Sequence, residues 1–255
     1  MELQNSVVIV TGGASGLGLV TCQQLAAQGA RVAAFDLNEE AGNALVAELG
    51  DQAVFARVDV TNVASVEAGI AHVVEAFGRI DACINCAGIA PGGKTVGRNG
   101  ALPLEKFAQV ININLLGTFN VLRLAAEQMA KNTPNADGER GVIINTASVA
   151  AFDGQVGQAA YSASKAGVVG MTLPIARDLA PLGIRVMTIA PGIFDTPMMK
   201  GMTDEVRDPL LKMVQSPKRF GEPKEYAALA AHIISNQYLN GEVIRLDGAI
   251  RMEPK

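Results

Sequence analysis

The chain has 255 residues, of which 49% are hydrophobic and 18% charged, with a formal net charge of −4 at pH 7. These values are typical of a globular protein with a sizeable core, and the lack of a basic stripe argues against a nucleic-acid partner. The apolar runs are shorter than a membrane span, so we expect no membrane association. The first predicted strand begins so close to Met1 that no cleavable presequence is expected, which predicts a cytoplasmic protein.

Cysteine and histidine usage argues against several kinds of site. The chain has three cysteines, Cys22, Cys83 and Cys86. A small, odd number of cysteines argues against a disulfide framework. Cys83 and Cys86 have C-x-x-C spacing, but they end an apolar run instead of opening a helix. We therefore expect small buried or loop thiols, not a redox or metal site. His72 and His232 are the only histidines, too few for a typical Ser-His-Asp hydrolase or a histidine metal site.

Apolar runs alternate with amphipathic segments along the chain. Apolar residues recur at helical spacing between the runs, as in Val66, Ile70 and Val73. Right-handed β-α-β connections then predict an α/β fold, a Rossmann-type doubly wound parallel sheet with helices on both faces, in one domain over residues 1–255. Seven runs rich in Val, Ile, Ala and Phe predict strands covered on both faces: Val7–Val10, Arg31–Phe35, Ala53–Val58, Ile80–Ile84, Val142–Ile144, Arg185–Ile189 and Glu242–Leu246.

A glycine-rich turn follows the first predicted strand and precedes a helix. Glycines there permit a tight turn and close approach to a phosphate, and the helix N-terminus offers free N–H groups. Asp36 ends the second predicted strand, where a carboxylate can accept hydrogen bonds from ribose hydroxyls and would repel a 2′-phosphate. No Lys or Arg stands beside it or in the turn, so NAD is favoured over NADP. The alternative is that Asp36 caps a helix. The turn residues predicted to contact the cofactor are Gly12, Ser15, Gly16, Leu17 and Gly18.

A serine, a tyrosine and a lysine form a second candidate site. Ser148 lies just past an apolar run, and Tyr161 and Lys165 are four residues apart in a predicted helix, so they share one face. A cation beside a phenol favours the phenolate, which predicts that Lys165 lowers the pKa of Tyr161 below about 10. Tyr161 is then a base for the proton of a secondary alcohol, and Ser148 can hydrogen-bond the reacting oxygen.

The G-x-x-x-G-x-G spacing of the turn, together with Tyr161 and Lys165, resembles the short-chain dehydrogenase/reductase family over essentially the whole chain. The resemblance implies that Asn114 completes a catalytic tetrad by anchoring a water, and that Lys165 holds the nicotinamide ribose. In the family's Asn-Asn-Ala-Gly turn, this chain has cysteine in second place. The further residues that the resemblance assigns to the cofactor are Asp59, Val60, Asn85, Cys86, Ala87, Gly88, Pro191, Gly192, Phe194 and Thr196.

Segments around Ser148 and Tyr161, and the closing segment 239–252, also resemble one group in this family, the type II 3-hydroxyacyl-CoA dehydrogenases, also described as 17β-hydroxysteroid dehydrogenases of type 10. That resemblance implies NAD as cofactor, a homotetramer, short or branched 3-hydroxyacyl-CoA substrates, and contact between Gln155 and the thioester. Other readings remain open: a dehydrogenase for a steroid, a simple alcohol or an acyl-carrier-protein thioester, or a non-catalytic NAD-binding regulator.

Two long stretches, 89–104 and 193–223, are predicted to be irregular loops that cover the substrate. Their methionines suit a pliable acyl pocket and their basic residues suit CoA phosphates, but loop packing and solvated charge are equally ordinary roles. The methionines are Met198, Met199, Met202 and Met213, and the basic residues are Lys94, Arg98, Lys212, Lys218 and Arg219.

Overall fold

A computed structural model describes residues 1–200 and 203–254. The strands are β1 (Val7–Thr11), β2 (Arg31–Asp36), β3 (Ala53–Arg57), β4 (Ala82–Asn85), β5 (Val96–Gly97), β6 (Gly100–Ala101), β7 (Gly141–Thr146), β8 (Ile184–Pro191) and β9 (Val243–Leu246). The helices are α1 (Gly16–Ala27), α2 (Glu39–Leu49), α3 (Val63–Phe77), α4 (Leu104–Ile111), α5 (Thr118–Met129), α6 (Ala159–Leu179), α7 (Pro197–Lys200), α8 (Asp204–Met213) and α9 (Pro223–Ser235). A π-helical turn, Asn112–Gly117, joins α4 to α5.

Seven strands form one parallel sheet in the order β3-β2-β1-β4-β7-β8-β9. The central strands β1, β4 and β7 are buried along their whole length, as expected for strands covered on both faces. Helices α3, α5 and α6 contribute to the apolar core on one face, and α1, α2 and α9 to the core on the other. None of the helices in the described ranges combines the length and apolarity needed to cross a bilayer.

Local sequence explains where several helices begin and end. The Asn38 side chain accepts a hydrogen bond from the Ala41 N–H and starts α2, and Asn62 does the same for α3 through the N–H of Ser65. Gly78 ends α3 in the left-handed conformation, with φ of +82°. These boundaries fix the lengths of the crossovers that return the chain to the next parallel strand.

The strand order reverses between β1 and β4. From β1 the chain first adds β2 and β3 on one side, then crosses to β4 and adds β7, β8 and β9 on the other. The connections that leave β1 and β4 therefore diverge and open a crevice at the carboxyl ends of these strands. This is where open α/β sheets bind their ligands.

The predicted fold is confirmed: all seven predicted strands are present and lie in one doubly wound sheet. Two local predictions are wrong. The stretch 89–104 contains the antiparallel hairpin β5–β6, whose two-residue strands are too short to leave a periodic pattern. The stretch 193–223 contains α7 and α8, and α8 includes Pro209, a residue that argues against a helix when sequence alone is considered.

Candidate active site

A cavity of about 900 Å³ opens at the carboxyl edge of the sheet. Its walls come from the segments that follow β1, β2, β3, β4, β7 and β8, together with parts of α6, α8 and the C-terminal segment. Of the residues predicted to be catalytic or to contact the cofactor or the thioester, Asn85 and Asn114 are absent from the wall. The predicted residues that line it are Gly12, Ser15, Gly16, Leu17, Gly18, Asp36, Asp59, Val60, Cys86, Ala87, Gly88, Ser148, Gln155, Tyr161, Lys165, Pro191, Gly192, Phe194 and Thr196.

The cavity has two parts. We call the part lined by the glycine turn, Asp36, Asp59 and the Cys86–Gly88 turn the glycine-turn half. We call the part lined by Val149, Leu210, Met213 and Met252 the apolar half.

Close backbone packing shapes the glycine turn. A Cβ at Gly18 would overlap the carbonyl of Gly12. Gly12 has a φ of +64°, and a Cβ there would lie against the backbone of Cys86 and Ala87. Side chains at either position would therefore push the turn out of place. Ser15, just before α1, makes no side-chain capping bond, so N–H groups of the first turn of α1 remain available at the cavity wall. The turn fits a phosphate group.

The Asp36 carboxylate is held at the wall by backbone donors. Its Oδ2 accepts from the Ala14 N–H at 3.1 Å and its Oδ1 from the Asn38 N–H at 3.1 Å. Each oxygen keeps a further lone pair for a ribose hydroxyl. Among the described residues of the cavity wall, Lys165 is the only Lys or Arg. The wall near Asp36 therefore offers no cation to a 2′-phosphate.

Ser148, Tyr161 and Lys165 lie where the two halves meet. Ser148 directly precedes Val149 of the apolar half; its hydroxyl accepts from the Ala150 N–H at 3.1 Å and is close enough to the Tyr161 phenol to affect its pKa. Lys165 Nζ donates to the Thr146 carbonyl at 2.8 Å and lies 5.8 Å from the centroid of the Tyr161 ring. Lys165 also reaches the glycine-turn half, because its ammonium lies close to Gly88: a Cβ built on Gly88 would be 3.5 Å from Nζ.

Burial dominates the electrostatics of this cluster. It lowers the pKa of the Lys165 ammonium to about 8, because the charged form loses its water. Burial also raises the pKa of the Tyr161 phenol above its ordinary value, and the hydrogen bond with Ser148 opposes that rise. The direction is opposite to the sequence prediction that Lys165 depresses the pKa of Tyr161. Loss of hydration on burial is the main cause of this rise.

Asn114 lies beneath the cavity, in the π-helical turn, and is fully buried. Its Oδ1 accepts from the Ile89 N–H, and its Nδ2 donates to the Ile89 carbonyl, both at 2.8 Å. The same amide donates to the Ser164 hydroxyl at 3.1 Å. The Asn114 side chain thus ties the segment after Gly88 to α6, next to Tyr161 and Lys165.

Two residues of the Asn85–Gly88 turn face different surroundings. The Asn85 side chain is buried in the sheet, where its Nδ2 donates to Asn145 Oδ1 at 2.9 Å, and its predicted contact with the cofactor stays a prediction. The Cys86 thiol lies near the Tyr226 hydroxyl at 3.5 Å and the Thr146 hydroxyl at 3.6 Å, and burial raises its pKa. Burial raises the pKa of Cys83 to about 12, consistent with an inert core thiol.

Sequence reasoning missed several wall residues. The Thr146 carbonyl that orients Lys165 is a backbone group and leaves no trace in the sequence. Leu210 and Met252 reach the wall from α8 and the C-terminal segment. Their apolar character was the only signal in the sequence that could have indicated a pocket. Gln155 lines the cavity and its Nε2 donates to the Glu253 carbonyl at 2.9 Å; its contact with the thioester stays a prediction.

The basic residues of the two long stretches divide into separate groups. Lys94 is exposed and lines a neighbouring groove of about 550 Å³, which shares Gln155 and Gln158 with the main cavity. Arg98 is exposed in the β5–β6 turn. Arg219 is engaged by both oxygens of Glu225 at 2.8 Å.

The remaining predictions for these stretches give a mixed result. Lys218 Nζ donates to the Val214 carbonyl, and Lys212 lines a separate groove of about 420 Å³. Met199 and Met213 line the main cavity. Met202 and the side chain of Met198 lie outside the described residues. In the described part of the chain, no cluster of three or more His, Cys, Asp or Glu side chains has the arrangement of a metal site.

Comparison with known proteins gives the family. The family model described as short chain dehydrogenase matches residues 6–207. The 3-hydroxyacyl-CoA dehydrogenase type-2 of Bos taurus is 58% identical over 255 residues, 99% of this chain and 98% of the relative, and that of Homo sapiens is 56% identical over the same shares. A crystal structure of the 3-hydroxyacyl-CoA dehydrogenase type-2 from Mycobacterium avium matches with a TM-score of 0.95 at 42% identity, covering 100% of this chain and 98% of that one. The chain belongs to the short-chain dehydrogenase family.

Proposed function

We propose that this protein oxidises the secondary alcohol of short or branched 3-hydroxyacyl-CoA thioesters to 3-oxoacyl-CoA, with NAD as the hydride acceptor. The observation that carries the substrate class is the 58% identity to a 3-hydroxyacyl-CoA dehydrogenase type-2 over 99% of the chain. The reaction type rests on Ser148, Tyr161 and Lys165, which meet at the cavity wall.

The glycine-turn half fits a nicotinamide dinucleotide. Dehydrogenases of this family use NAD or NADP. The backbone approach at Gly12 and the available N–H groups of α1 suit the pyrophosphate, and Asp36 suits the adenosine ribose. We infer NAD over NADP because the carboxylate of Asp36 disfavours a 2′-phosphate and no described cation of the wall lies beside it.

Tyr161 is the proposed base. When bound, NAD takes up the hydride that leaves C3 of the substrate. Tyr161 accepts the hydroxyl proton, and Ser148 donates a hydrogen bond to the oxygen as its charge develops. Because burial raises the pKa of Tyr161, alcohol oxidation is favoured at alkaline pH, whereas the protonated phenol is a ready donor for the reverse reaction. Lys165, with a pKa of about 8, adds positive charge beside the site below that pH.

The CoA moiety is proposed to leave the cavity over Gln155 and Gln158. These two residues also line the groove that contains Lys94, so a thioester anchored at Tyr161 could extend from the cavity to that lysine. Arg98 in the neighbouring hairpin turn adds a second exposed cation.

A homotetramer is proposed as the working form. Three large apolar side chains are exposed along the continuous segment from α4 to α5: Leu104 at 78%, Leu116 at 54% and Phe119 at 45%. Leu173 on α6, which packs against α4, is exposed at 44%. Apolar surface of this kind suits contact with further copies of the chain. Light scattering coupled to gel filtration measures the state directly, and a monomer would contradict the proposal.

A substrate panel tests the proposed activity. NADH formation should be fastest with 3-hydroxybutanoyl-CoA and its branched analogues, and slower with hydroxysteroids and simple alcohols. A preference for NADP with an acyl-carrier-protein thioester would favour the reductase alternative. Cofactor binding without turnover of any substrate would favour a regulator.

A further inference from the structure

The C-terminal segment joins the two elements that flank the apolar half. At residue 253, the backbone carbonyl accepts from Gln155 Nε2 at 2.9 Å, and the N–H lies 3.5 Å from the Met213 sulfur. The Pro254 carbonyl accepts from the Val156 N–H at 3.0 Å. The segment therefore bridges the connector before α6 and the end of α8, at the cavity wall.

The path of this segment is set by contacts upstream of it. The Gly248 carbonyl accepts from the backbone N–H groups of residues 215 and 216. The guanidinium of Arg245 bonds Asp153 and Asp247 at 2.8 Å and the Ile250 carbonyl at 3.0 Å. Ile250 is fully buried. The segment thus reaches the cavity in a defined position.

A small apolar cluster continues from the reacting centre to this segment. Val149, Met213, Val214 and Ile250 form its buried part. Leu210 and Met252 pack against the cluster, and both line the cavity. Since Val149 follows Ser148 directly, an alkyl chain that leaves the carbinol carbon on this side runs along the cluster. Met252 is the contribution of the C-terminal segment to this surface.

We propose that Met252 sets the length of the acyl chain that the enzyme accepts. The inference rests on the proposed function, because it takes the substrate to be a 3-hydroxyacyl-CoA. A methionine side chain is flexible and fills irregular apolar space, so it can close the pocket behind a short chain. Met252 belongs to a segment outside the sheet, so we expect its replacement to leave the glycine-turn half unchanged.

The test compares chain lengths in paired variants. We would measure kcat/KM with NAD for 3-hydroxybutanoyl-, 3-hydroxyhexanoyl- and 3-hydroxydecanoyl-CoA. In Met252→Ala the ratio of the decanoyl to the butanoyl value should rise about tenfold, and in Met252→Phe it should fall by a similar factor, since a few methylenes in an apolar pocket have effects of about this size. KM for NAD should be unchanged in both.

Two controls separate pocket size from a loosened segment. Met252→Leu keeps the volume and should keep the wild-type ratio. Arg251→Gln changes the adjacent residue, whose side chain is 65% exposed and absent from the cavity wall, and should also keep it. The assignment of Met252 would be overturned if the decanoyl-to-butanoyl ratio were unchanged in both Met252→Ala and Met252→Phe. It would also be overturned if Arg251→Gln shifted the ratio as much as Met252→Ala does. Neither result would affect the proposed function, provided that the wild-type enzyme is active. A wild-type enzyme inactive on all three thioesters would overturn the proposed function and this inference with it.

Discussion

The two halves of the cavity are built by different means. The glycine-turn half consists largely of backbone groups and short side chains at the ends of buried parallel strands, where Gly12 and Gly18 pack too closely to admit a side chain. The apolar half consists of side chains from α8, the connector before α6 and the C-terminal segment, which meet in a small cluster apart from the two sheet cores. One half is therefore built on the sheet, whereas the other is built from segments outside it.

The proposed reacting residues, Ser148, Tyr161 and Lys165, lie at the junction of the two halves. Lys165 is anchored to the end of β7 through the Thr146 carbonyl, and Ser148 continues from the same strand into the apolar half. The comparison predicts that variants at the junction affect rate, variants in the glycine-turn half affect cofactor choice, and variants near the apolar half affect substrate choice.

The largest effect is expected at the junction. Tyr161→Phe should lower kcat on the order of 10⁴-fold, because the variant has no group to accept the hydroxyl proton. The dissociation constant for NAD, measured by calorimetry, should be unchanged. Tyr238→Phe is the matched control, since Tyr238 is fully exposed. A Tyr161→Phe enzyme of wild-type rate would remove Tyr161 from the mechanism.

Ser148→Ala should lower kcat for oxidation by about 10²-fold, because a hydrogen bond to the developing oxyanion is lost. It should also move the pH profile. The hydrogen bond with Ser148 lowers the pKa of Tyr161, so its loss raises that pKa and shifts the rise of kcat/KM to higher pH. Ser148→Thr keeps a hydroxyl and should restore much of the rate. A pH profile that stays in place would contradict the role of Ser148 in the ionisation of Tyr161.

In the glycine-turn half, Asp36→Asn should lower kcat/KM for NAD by roughly 10- to 100-fold, the usual scale for loss of a charge-assisted hydrogen bond. The value for NADP should rise relative to that for NAD, because the negative charge is gone. Asp51→Asn, a change at an exposed carboxylate before β3, serves as the control. Equal losses with both cofactors would mean that Asp36 does not discriminate between them.

The smallest effect is expected at Lys94 and Arg98, in and beside the groove that adjoins the cavity. Neutralising the groove with Lys94→Gln and Arg98→Gln should raise KM for a CoA thioester about threefold, because exposed charge pairs have modest effects. The difference from wild type should shrink at high salt. Lys131→Gln with Arg177→Gln removes the same charge from exposed positions elsewhere and should leave KM unchanged. The same KM in both double variants would mean that Lys94 and Arg98 are solvated surface charges that do not contact CoA.

The two halves also differ in how far the sequence predicts them. Asp36 and the glycine turn could be predicted because both follow apolar strands within one short β-α-β unit. Tyr161 and Lys165 could be paired because helical spacing places them on one face. Asn85 could not be placed: its partner Asn145 stands opposite it only because β4 pairs with β7, a long-range contact.

The remaining misses have the same physical origin. The rise in the pKa of Tyr161 comes from burial by segments distant in sequence, and four-residue spacing contains no information on burial. Met252 joins Val149 and Leu210 only after the C-terminal segment folds back across the connector and α8. Local patterns thus predict most of the glycine-turn half, whereas of the residues that define the apolar half they predict only Met213.

Isotope transfer tests the central claim most directly. The enzyme would be incubated with NAD and 3-hydroxybutanoyl-CoA that carries deuterium at C3, and the NADH analysed by mass spectrometry. We expect deuterium in NADH with the wild-type enzyme and with Tyr238→Phe, and almost none with Tyr161→Phe over the same time. NADH without deuterium, or equal transfer by Tyr161→Phe, would contradict this claim.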